Sequence, residues 1–535
     1  MRVSSHVEEL SVRLPRLRAP TEHGHILAVP PLDEVEALLE VNRQNLNSAH
    51  IPSIGKSLNE LRDLARREVF AASSQYHREG GETVADATSD VLMVAGHQPE
   101  LFHPGVWFKN FVLHQLGRKH AAVALNLIVD TDTAKPALLH APAEERIARI
   151  PFDRSSMETP YEERTVEEEA TFADLPQRMA PIISRWNFEP MLEAFWREVM
   201  KQARRTPLLG ERLAAARRTM ERRWGCVQRE VPMSRICQTE AFAWFAGSIL
   251  TELPSFHATY NQTVQAYRRE HGIRSRSHPV PDLTADGEWL EAPFWAWRKG
   301  QTRRGKLFVR RTSTAWEIRV AGEGWPSIPY GTAPMVEAWR ALEARGFKIR
   351  SRAVTTTMFA RLFLADMFVH GIGGGIYDEL TDHLIDRYYR IPAPAFLVLS
   401  ATLLLPLPRF PEAAQQARNL EQRWRELVFK PERYIETNDR TEPLIRAKQE
   451  WIARSATTHE ERVERYHRIR EINARLLPFV LPQTERVQVD HLEQQRRAEW
   501  DEIAARRDYA FCLYPEEMLH RFFLKSIGAQ YDRRG

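Results

Sequence analysis

The sequence predicts an α/β protein in which a core sheet is interrupted by an insertion and followed by long charged helices. An apolar run at 91–96, a loop, a helical stretch at 106–119 and a second apolar run at 121–130 follow one another. This order is typical of a βαβ unit. Apolar runs and helical stretches alternate again from residue 348, after a long passage with a different pattern. We therefore expect the chain to leave the core sheet and to rejoin it.

The composition is that of an ordinary globular protein. The chain has 535 residues, of which 43% are hydrophobic and 27% charged, and its formal net charge is +4. These values exclude the disordered and collagen-like classes, and a length of this kind accommodates two to four domains at roughly 100–200 residues per domain. The small positive balance gives no reason to expect a nucleic-acid partner.

The sequence predicts a cytoplasmic protein without a membrane partner. The three cysteines, Cys226, Cys237 and Cys512, are scattered and form no metal-binding or disulfide pattern. The first residues contain no apolar core of a secretory signal. The longest apolar runs, 359–369 and 395–405, are shorter than the ~20 residues that a membrane helix needs.

Six segments can be delimited. They are an N-terminal helical segment (1–85), the first half of the core (86–150), the insertion (151–345), the second half of the core (346–410), charged helices (411–507) and a tail that packs on the core (508–535). In the second half we expect a strand at 348–357 and a helix at 358–367. The runs LFVRR and AWEIRV in the insertion are typical of paired antiparallel strands.

The charged segment has the pattern of a coiled coil. Apolar residues such as Leu420, Trp424 and Leu427 recur at steps of three and four, with charges of both signs between them. Pro478 and Pro482 predict a hairpin between two such helices. The narrow apolar seam needs a partner, which is either the returning helix or a second subunit.

The first candidate site is the loop between the first apolar run and its helix. It contains Gly96, His97, Gln98, His103 and Gly105. Ligands bind to α/β sheets at this location, where backbone N–H groups and the helix dipole favour an anion such as a phosphate. No G-x-G-x-x-G or P-loop motif is present. The alternative is that both histidines only cap or pack within the loop.

The second candidate site follows the second apolar run. Asp130 and Asp132 could hold Mg²⁺ or a substrate ammonium, and Lys135 could meet a phosphate or a carboxylate. The alternative is a turn in which one of the aspartates caps a helix.

The third candidate site is a glycine turn. Three consecutive glycines, Gly373–Gly375, permit close approach of a ligand to backbone N–H groups, and Tyr377 and Asp378 follow them. A tight helix-packing turn would use glycines too, and Asp378 could simply offset the helix dipole. The Trp-rich passage at 288–298 could stack on a nucleobase, but the sequence favours a core role for it.

Taken in order, these segments resemble the BshC family, the cysteine-adding enzymes of bacillithiol biosynthesis, over about 90–520. The T-G-Q-Q-x-G-L strand end of that family is similar to 95–101, and its E-D-H-D strand end is partly matched by 129–132. Its R-P and G-G-P-G-E segments are similar to Arg352–Ala353 and Gly373–Gly375, and its closing L-[FY]-P motif to 513–515.

The resemblance implies a Rossmann-like core with inserted connecting-peptide segments and a C-terminal coiled coil used for homodimerisation. It also implies a ligase that uses ATP or another nucleotide with Mg²⁺ to join cysteine to an amino-sugar conjugate through an amide. His97, His103, Asp130 and Asp132 are then the catalytic candidates. The candidates for binding substrate or nucleotide are Gly96, Gln98, Gly105, Lys135, Arg352, Gly373, Gly374, Gly375, Tyr377 and Asp378.

Two other functions stay open. The His-Gln-Pro loop is also similar to a short loop of WbqC-like proteins, which suits a nucleotide- or sugar-dependent transferase on the same scaffold. His97, Val129 and Thr131 depart from the BshC motifs. These departures motivate a non-catalytic interaction protein that acts through its coiled coil and has a degenerate pocket.

Overall fold

The structure is a computed structural model that describes residues 17–49, 56–86, 89–144, 146–154 and 158–531. The beginning of the predicted N-terminal helical segment lies outside these residues. The helices are α1 (Val35–Ser48), α2 (Leu58–Glu79), α3 (Pro104–Lys119), α4 (Glu169–Ala173), α5 (Leu175–Ile183), α6 (Leu192–Gln202), α7 (Leu209–Arg223), α8 (Met233–Ile236), α9 (Glu240–Thr251), α10 (Leu253–Glu270), α11 (Thr332–Ala344), α12 (Ala353–Phe359), α13 (Ile372–Leu384), α14 (Ala413–Phe429), α15 (Glu442–Ala453), α16 (His459–Leu476), α17 (Leu481–Ala504) and α18 (Glu516–Tyr531).

The strands are β1 (Ile26–Val29), β2 (Leu92–His97), β3 (Val123–Ile128), β4 (Leu138–Ala143), β5 (Arg146–Pro151), β6 (Arg229–Pro232), β7 (Ala285–Asp286), β8 (Trp289–Arg298), β9 (Gly305–Arg311), β10 (Ala315–Val320), β11 (Glu323–Pro329), β12 (Phe347–Ser351), β13 (Met367–His370) and β14 (Phe396–Ala401). The protein is therefore of mixed α/β class, as predicted. Within the described ranges, no helix has an apolar stretch that is long enough to cross a membrane.

The first sheet has the order β1-β14-β13-β2-β3-β6. The strands β14, β13, β2, β3 and β6 run parallel, and β1 is antiparallel at the edge. Its central strands are almost continuously buried and apolar, as in parallel sheets that are covered on both faces. This sheet contains the predicted βαβ unit, because β2, α3 and β3 follow one another along the chain and the two strands pair in parallel.

The order of the strands reverses between β2 and β13. From β2 the chain proceeds to β3 and β6 on one side, and it later returns to β13 and β14 on the other side. Where the strand order reverses, the connections on the two sides leave a crevice beyond the carboxyl ends of the strands. A ligand site is therefore expected at the ends of β2 and β13.

The insertion contributes a second sheet, with the antiparallel order β11-β10-β9-β8-β12. The predicted pairing of LFVRR with AWEIRV is confirmed, since these runs form β9 and β10. The predicted strand at 348–357 is only partly right: it ends at Ser351, α12 begins at Ala353, and the strand pairs with β8 instead of joining the core.

The core strand of this region is β13, which begins at the end of the predicted helix at 358–367. A π-helical turn at Ala360–Leu364 extends α12, and after two further residues the chain enters β13. Every residue of the run 359–369 is buried. A continuous apolar run of this length has no periodicity that separates a helix from a strand.

Two compact units are distinguished. The larger takes in the described residues up to His140, Arg149–Leu403 and the chain from Arg507 on, and the second consists of Ala141–Ala148 and Leu404–Arg506. In the second unit α14 packs along α17, and α15 packs along α16. Helices α16 and α17, on either side of Pro478, thus pair with other helices, and the predicted hairpin between them is wrong. The apolar cluster of Leu427, Val480 and Val487 lies between α14 and α17.

Candidate functional site

A cavity of about 290 Å³ lies at the carboxyl ends of β2 and β13. We call it the central cavity. Six of the predicted site residues line it, namely Gly96, His97, Gln98, Asp132, Arg352 and Tyr377. Side chains of the insertion, among them Tyr260, Trp295 and Arg304, line it as well. The structure thus brings the three candidate segments and the insertion to one place, at the reversal of strand order.

The other eight predicted residues are not among those that line the central cavity. They are His103, Gly105, Asp130, Lys135, Gly373, Gly374, Gly375 and Asp378. The structure gives several of them other partners.

His103 and Gly105 start helix α3. The Nδ1 atom of His103 accepts a hydrogen bond from the Gly105 amide (3.1 Å), so the histidine is the N-cap of the helix. A Cβ atom at Gly105 would collide with the carbonyl oxygen of Ala401 in β14. Glycine is needed there for close packing of helix on strand. Lys135 is exposed and pairs with Glu100, with 2.8 Å between Nζ and Oε1.

Asp130 and Asp132 lie in different cavities. Asp130 accepts a hydrogen bond from the Ser234 amide (2.9 Å) and lines an open cavity of about 720 Å³ together with Glu162. Because β3 ends at Ile128 and the chain then turns, the strand alternation that would align the two carboxylates does not apply. The predicted Mg²⁺ pair is therefore not formed. The described residues contain no group of three histidine, cysteine or acidic side chains placed to hold a metal ion.

The burial of Asp130 makes stability depend on pH. Burial and, next, repulsion from the Glu162 carboxylate raise the pKa of Asp130 to about 7, above the ~3.9 of an unfolded chain. The folded state then binds a proton more tightly, and this contribution to stability is lost as the pH rises from ~4 to ~7.

The variant Asp130→Asn is therefore expected to gain stability relative to the wild type as the pH rises through this window. The gain is on the order of 4 kcal/mol between pH 4 and pH 8. Urea unfolding of both proteins at these two pH values measures it. A difference in unfolding free energy that stays constant with pH would contradict the buried-carboxyl interpretation.

His97 is a fixed, neutral part of the cavity wall. Its Nδ1 lies 3.1 Å from the Gln98 carbonyl oxygen, and its Nε2 lies 3.2 Å from Oδ1 of Asn110. Burial, and then the charges of Arg217 and Lys109, lower the pKa of His97 to about 3. The ring is thus uncharged at neutral pH, and it can donate to only one of its two acceptors.

Gln98 and Asp132 form a polar pair that also lines the central cavity. Gln98 Nε2 donates to Asp132 Oδ2 (3.0 Å), and Arg304 Nη1 lies 3.1 Å from Asp132 Oδ1. The guanidinium of Arg304 also lies 4.7 Å from the ring centroid of Trp295. Arg304 therefore ties the insertion to the end of the core sheet.

Trp295 differs from its neighbours in the Trp-rich passage. Phe294 and Trp297 are fully buried, as the predicted core role requires. Trp295 is only partly buried and lines the central cavity. The guanidinium of Arg352 lies 4.2 Å from its ring centroid. The core expectation is therefore wrong for Trp295, and Trp289 is only partly buried as well.

Arg352 presents an unpaired edge. Its Nη1 lies 2.8 Å from Oε1 of Glu291, a fully buried carboxylate. Its Nε and Nη2 atoms are buried and have no hydrogen-bond partner among the described residues. Buried donors are almost always paired, and these two nitrogens form the side of the guanidinium that binds a carboxylate or phosphate with two parallel hydrogen bonds. The geometry therefore fits an anionic ligand group.

His370 lines the central cavity; it begins the third candidate segment but was not among the predicted site residues. Its Nε2 lies 2.7 Å from Oδ2 of Asp378, and the same carboxylate oxygen lies 2.7 Å from Nη1 of Arg361. Because a carboxylate only accepts, Nε2 carries the proton and Nδ1 of the neutral ring has a free lone pair. Burial lowers the pKa of His370, and the Asp378 charge offsets only part of this effect. The ring is suited to accept a proton at neutral pH.

The glycine turn covers His370. A Cβ atom at Gly374 would lie 2.6 Å from Nδ1 of His370, and one at Gly375 would lie 2.6 Å from Cγ2 of Val398. Glycine at these two positions lets α13 start close to the sheet. Nothing lies within 4 Å of a Cβ at Gly373. The signal for His370 was present in the sequence, as a polar residue between an apolar run and the glycines.

No model of a known protein family matches this chain, and no curated protein is significantly similar to it in sequence.

Proposed function

We propose that the chain is a BshC-like ligase that binds a small carboxylic acid in the central cavity and joins it to an amine. The observation that carries this proposal is the buried, unpaired Nε and Nη2 edge of Arg352, which faces no acceptor among the described residues. A ligand carboxylate supplies two such acceptors. Cysteine is the acid that the resemblance implies.

The fold supports the proposal. Five parallel strands whose order reverses between β2 and β13 agree with the Rossmann-like core that the resemblance implies. The central cavity lies at that reversal, where such cores bind their ligands.

The reaction proceeds in two steps. A carboxylate oxygen of the acid attacks a phosphorus atom of ATP, or of another nucleotide, and forms an acyl phosphate as the nucleoside diphosphate leaves. The amine then attacks the acyl carbon, phosphate leaves, and the amine nitrogen gives up a proton. Asp132 is the one predicted metal ligand at the cavity, and proteins usually hold Mg²⁺ with one or two carboxylates together with the phosphates of the substrate. We therefore expect Mg²⁺ to enter with the nucleotide.

Two side chains act directly in this scheme. Arg352 orients the acid through its unpaired edge. His370 accepts the amine proton at Nδ1, while Asp378 fixes the ring and stabilises the imidazolium. Gln98 and Asp132 face the cavity together and suit an ammonium or hydroxyl group of a substrate.

One observation favours the transferase on the same scaffold as a second candidate. Trp295 lines the cavity near Asp132, since Arg304 contacts both. A carboxylate and an amide at one wall of the cavity suit a sugar, because they can form hydrogen bonds with its hydroxyl groups.

An activity assay tests the proposal. The purified protein is incubated with Mg²⁺–ATP, cysteine and glucosaminyl malate, and mass spectrometry measures the thiol product and the nucleotide products. The proposal predicts amide formation coupled to nucleotide cleavage. Nucleotide cleavage without a thiol product would favour the transferase, and the absence of both would favour a non-catalytic protein.

We also propose a homodimer through the charged helices, as the resemblance implies. Val463 and Tyr466 on α16 and Val489 and Leu492 on α17 are large apolar side chains that are at least 40% exposed. A second copy would remove them from water. Sedimentation equilibrium should therefore show a dimer, and the double variant Val489→Glu, Leu492→Glu should be monomeric. A wild-type monomer at micromolar concentration would contradict this.

A further inference from the structure

A buried ammonium group lies beside the central cavity without a counter-ion. Lys109 on α3 is only 4% exposed. Its Nζ donates one hydrogen bond, to the carbonyl oxygen of Gly96 at the end of β2 (3.0 Å). An ammonium has three hydrogens to donate, and no carboxylate of the described residues forms an ion pair with Lys109. A buried cation of this kind costs free energy unless something pairs with it.

The ammonium lies near the N-cap residue of α13. Gly371 is the N-cap of this helix, and Nζ of Lys109 lies 3.9 Å from the position that a Cβ atom on Gly371 would take. The first amides of a helix have no acceptor within the helix. Here no side chain caps them, and the first turn carries no acidic residue. Gly373 is exposed, and nothing lies within 4 Å of the position that a Cβ atom on it would take.

The carboxylates farther along this helix are paired. Asp378 is paired with Arg361, and Asp382 is paired with the same guanidinium. His370 is neutral at the operating pH because burial lowers its pKa. Lys109 thus has no counter-charge among the residues that the structure describes, and its charge adds to the positive end of the α13 dipole.

We infer that Lys109 and the first amides of α13 form an oxyanion subsite next to the central cavity. The group it takes is a phosphoryl group or a carboxylate. In the proposed ligase this would be a phosphoryl group of the nucleotide, so the identity of the oxyanion rests on the proposed function. The existence of the subsite does not depend on the proposed function.

The alternative is that Lys109 is a structural residue that only holds the Gly96 carbonyl. The two interpretations predict opposite effects of Lys109→Met on stability in a buffer without oxyanions. If the subsite exists, the variant loses an unpaired buried charge and keeps or raises the melting temperature. If Lys109 is structural, the melting temperature falls.

Equilibrium dialysis and thermal unfolding with inorganic phosphate or malonate, against chloride at equal ionic strength, test the inference. We expect one oxyanion to bind the wild type and raise its melting temperature by several degrees, and Lys109→Met to weaken binding at least tenfold. Lys135→Met, at an exposed lysine outside the cavity, should bind like the wild type. Tighter binding of phosphate indicates a phosphoryl subsite, and tighter binding of malonate a carboxylate subsite.

A second variant does not touch the core. Gly373→Asp places a carboxylate in open space on the first turn of α13, where it competes with the ligand and favours the helix dipole. It should weaken oxyanion binding at least tenfold, whereas the matched Gly373→Asn should retain most of it. The inference is overturned if neither oxyanion binds, or if Lys109→Met or Gly373→Asp binds like the wild type. A missing ligase activity alone would leave the subsite intact.

Discussion

Arg352→Gln is expected to weaken the binding of cysteine by about 100-fold or more. The variant removes the buried Nε and Nη2 donors that have no partner within the described residues. Hydrogen bonds to charged groups contribute about 1.5–3 kcal/mol each, and 1.4 kcal/mol corresponds to a tenfold change in affinity. Isothermal titration of cysteine into both proteins, in the presence of the nucleotide, measures the effect.

Two further variants separate charge from geometry. Arg352→Lys keeps the positive charge but not the planar pair of donors, so we expect an intermediate loss of affinity. Arg303→Gln is the matched control, because Arg303 is 72% exposed and pairs with Glu158 at the surface. It should bind cysteine like the wild type. Equal affinities for wild type and Arg352→Gln, with both proteins folded, would show that Arg352 does not bind the acid.

His370→Gln is expected to lower kcat of the ligase reaction by about 10²–10⁴-fold, the usual contribution of a general base. Glutamine keeps a donor for Asp378 but offers no nitrogen lone pair at the position of Nδ1. Because Arg352 is untouched, the dissociation constant of cysteine should change little. His271→Gln is the control, since this partly exposed histidine faces Glu379 outside the cavity.

The pH profile distinguishes a base from a structural histidine. The base must be neutral to accept a proton, and burial lowers the pKa of His370 below its ordinary value. We therefore expect kcat/KM of the wild type to be constant from pH 8 down to ~6.5 and to fall only at lower pH. The residual activity of His370→Gln should lose this acid limb. If His370→Gln lowers kcat but its residual activity still falls at low pH, another group accepts the proton.

The sequence was sufficient to predict those parts of the fold whose elements lie close together along the chain. The run from β2 through α3 to β3 and the pair β9–β10 were predictable because each strand has a neighbour close to it in the chain. The location of the site was predictable for the same reason, since a loop that follows a parallel strand lies at the ligand-binding edge of the sheet.

The rest depends on contacts between distant segments. Asp130 and Asp132 differ by two residues, but the turn after β3 sends them to separate cavities. His103 and Gly105 have the residue types of a ligand loop, and only the approach of β14 shows that Gly105 serves close packing. Arg304 reaches the core from the insertion, which no local pattern could indicate.

A crystal structure of the protein grown with cysteine and a non-hydrolysable ATP analogue would show whether Arg352 binds the acid. We expect electron density for cysteine in the central cavity, with its carboxylate on Nε and Nη2 of Arg352 and an oxyanion of the second ligand at the first turn of α13. Cysteine bound elsewhere, with the edge of Arg352 still unpaired, would show that the central cavity is not the acid site.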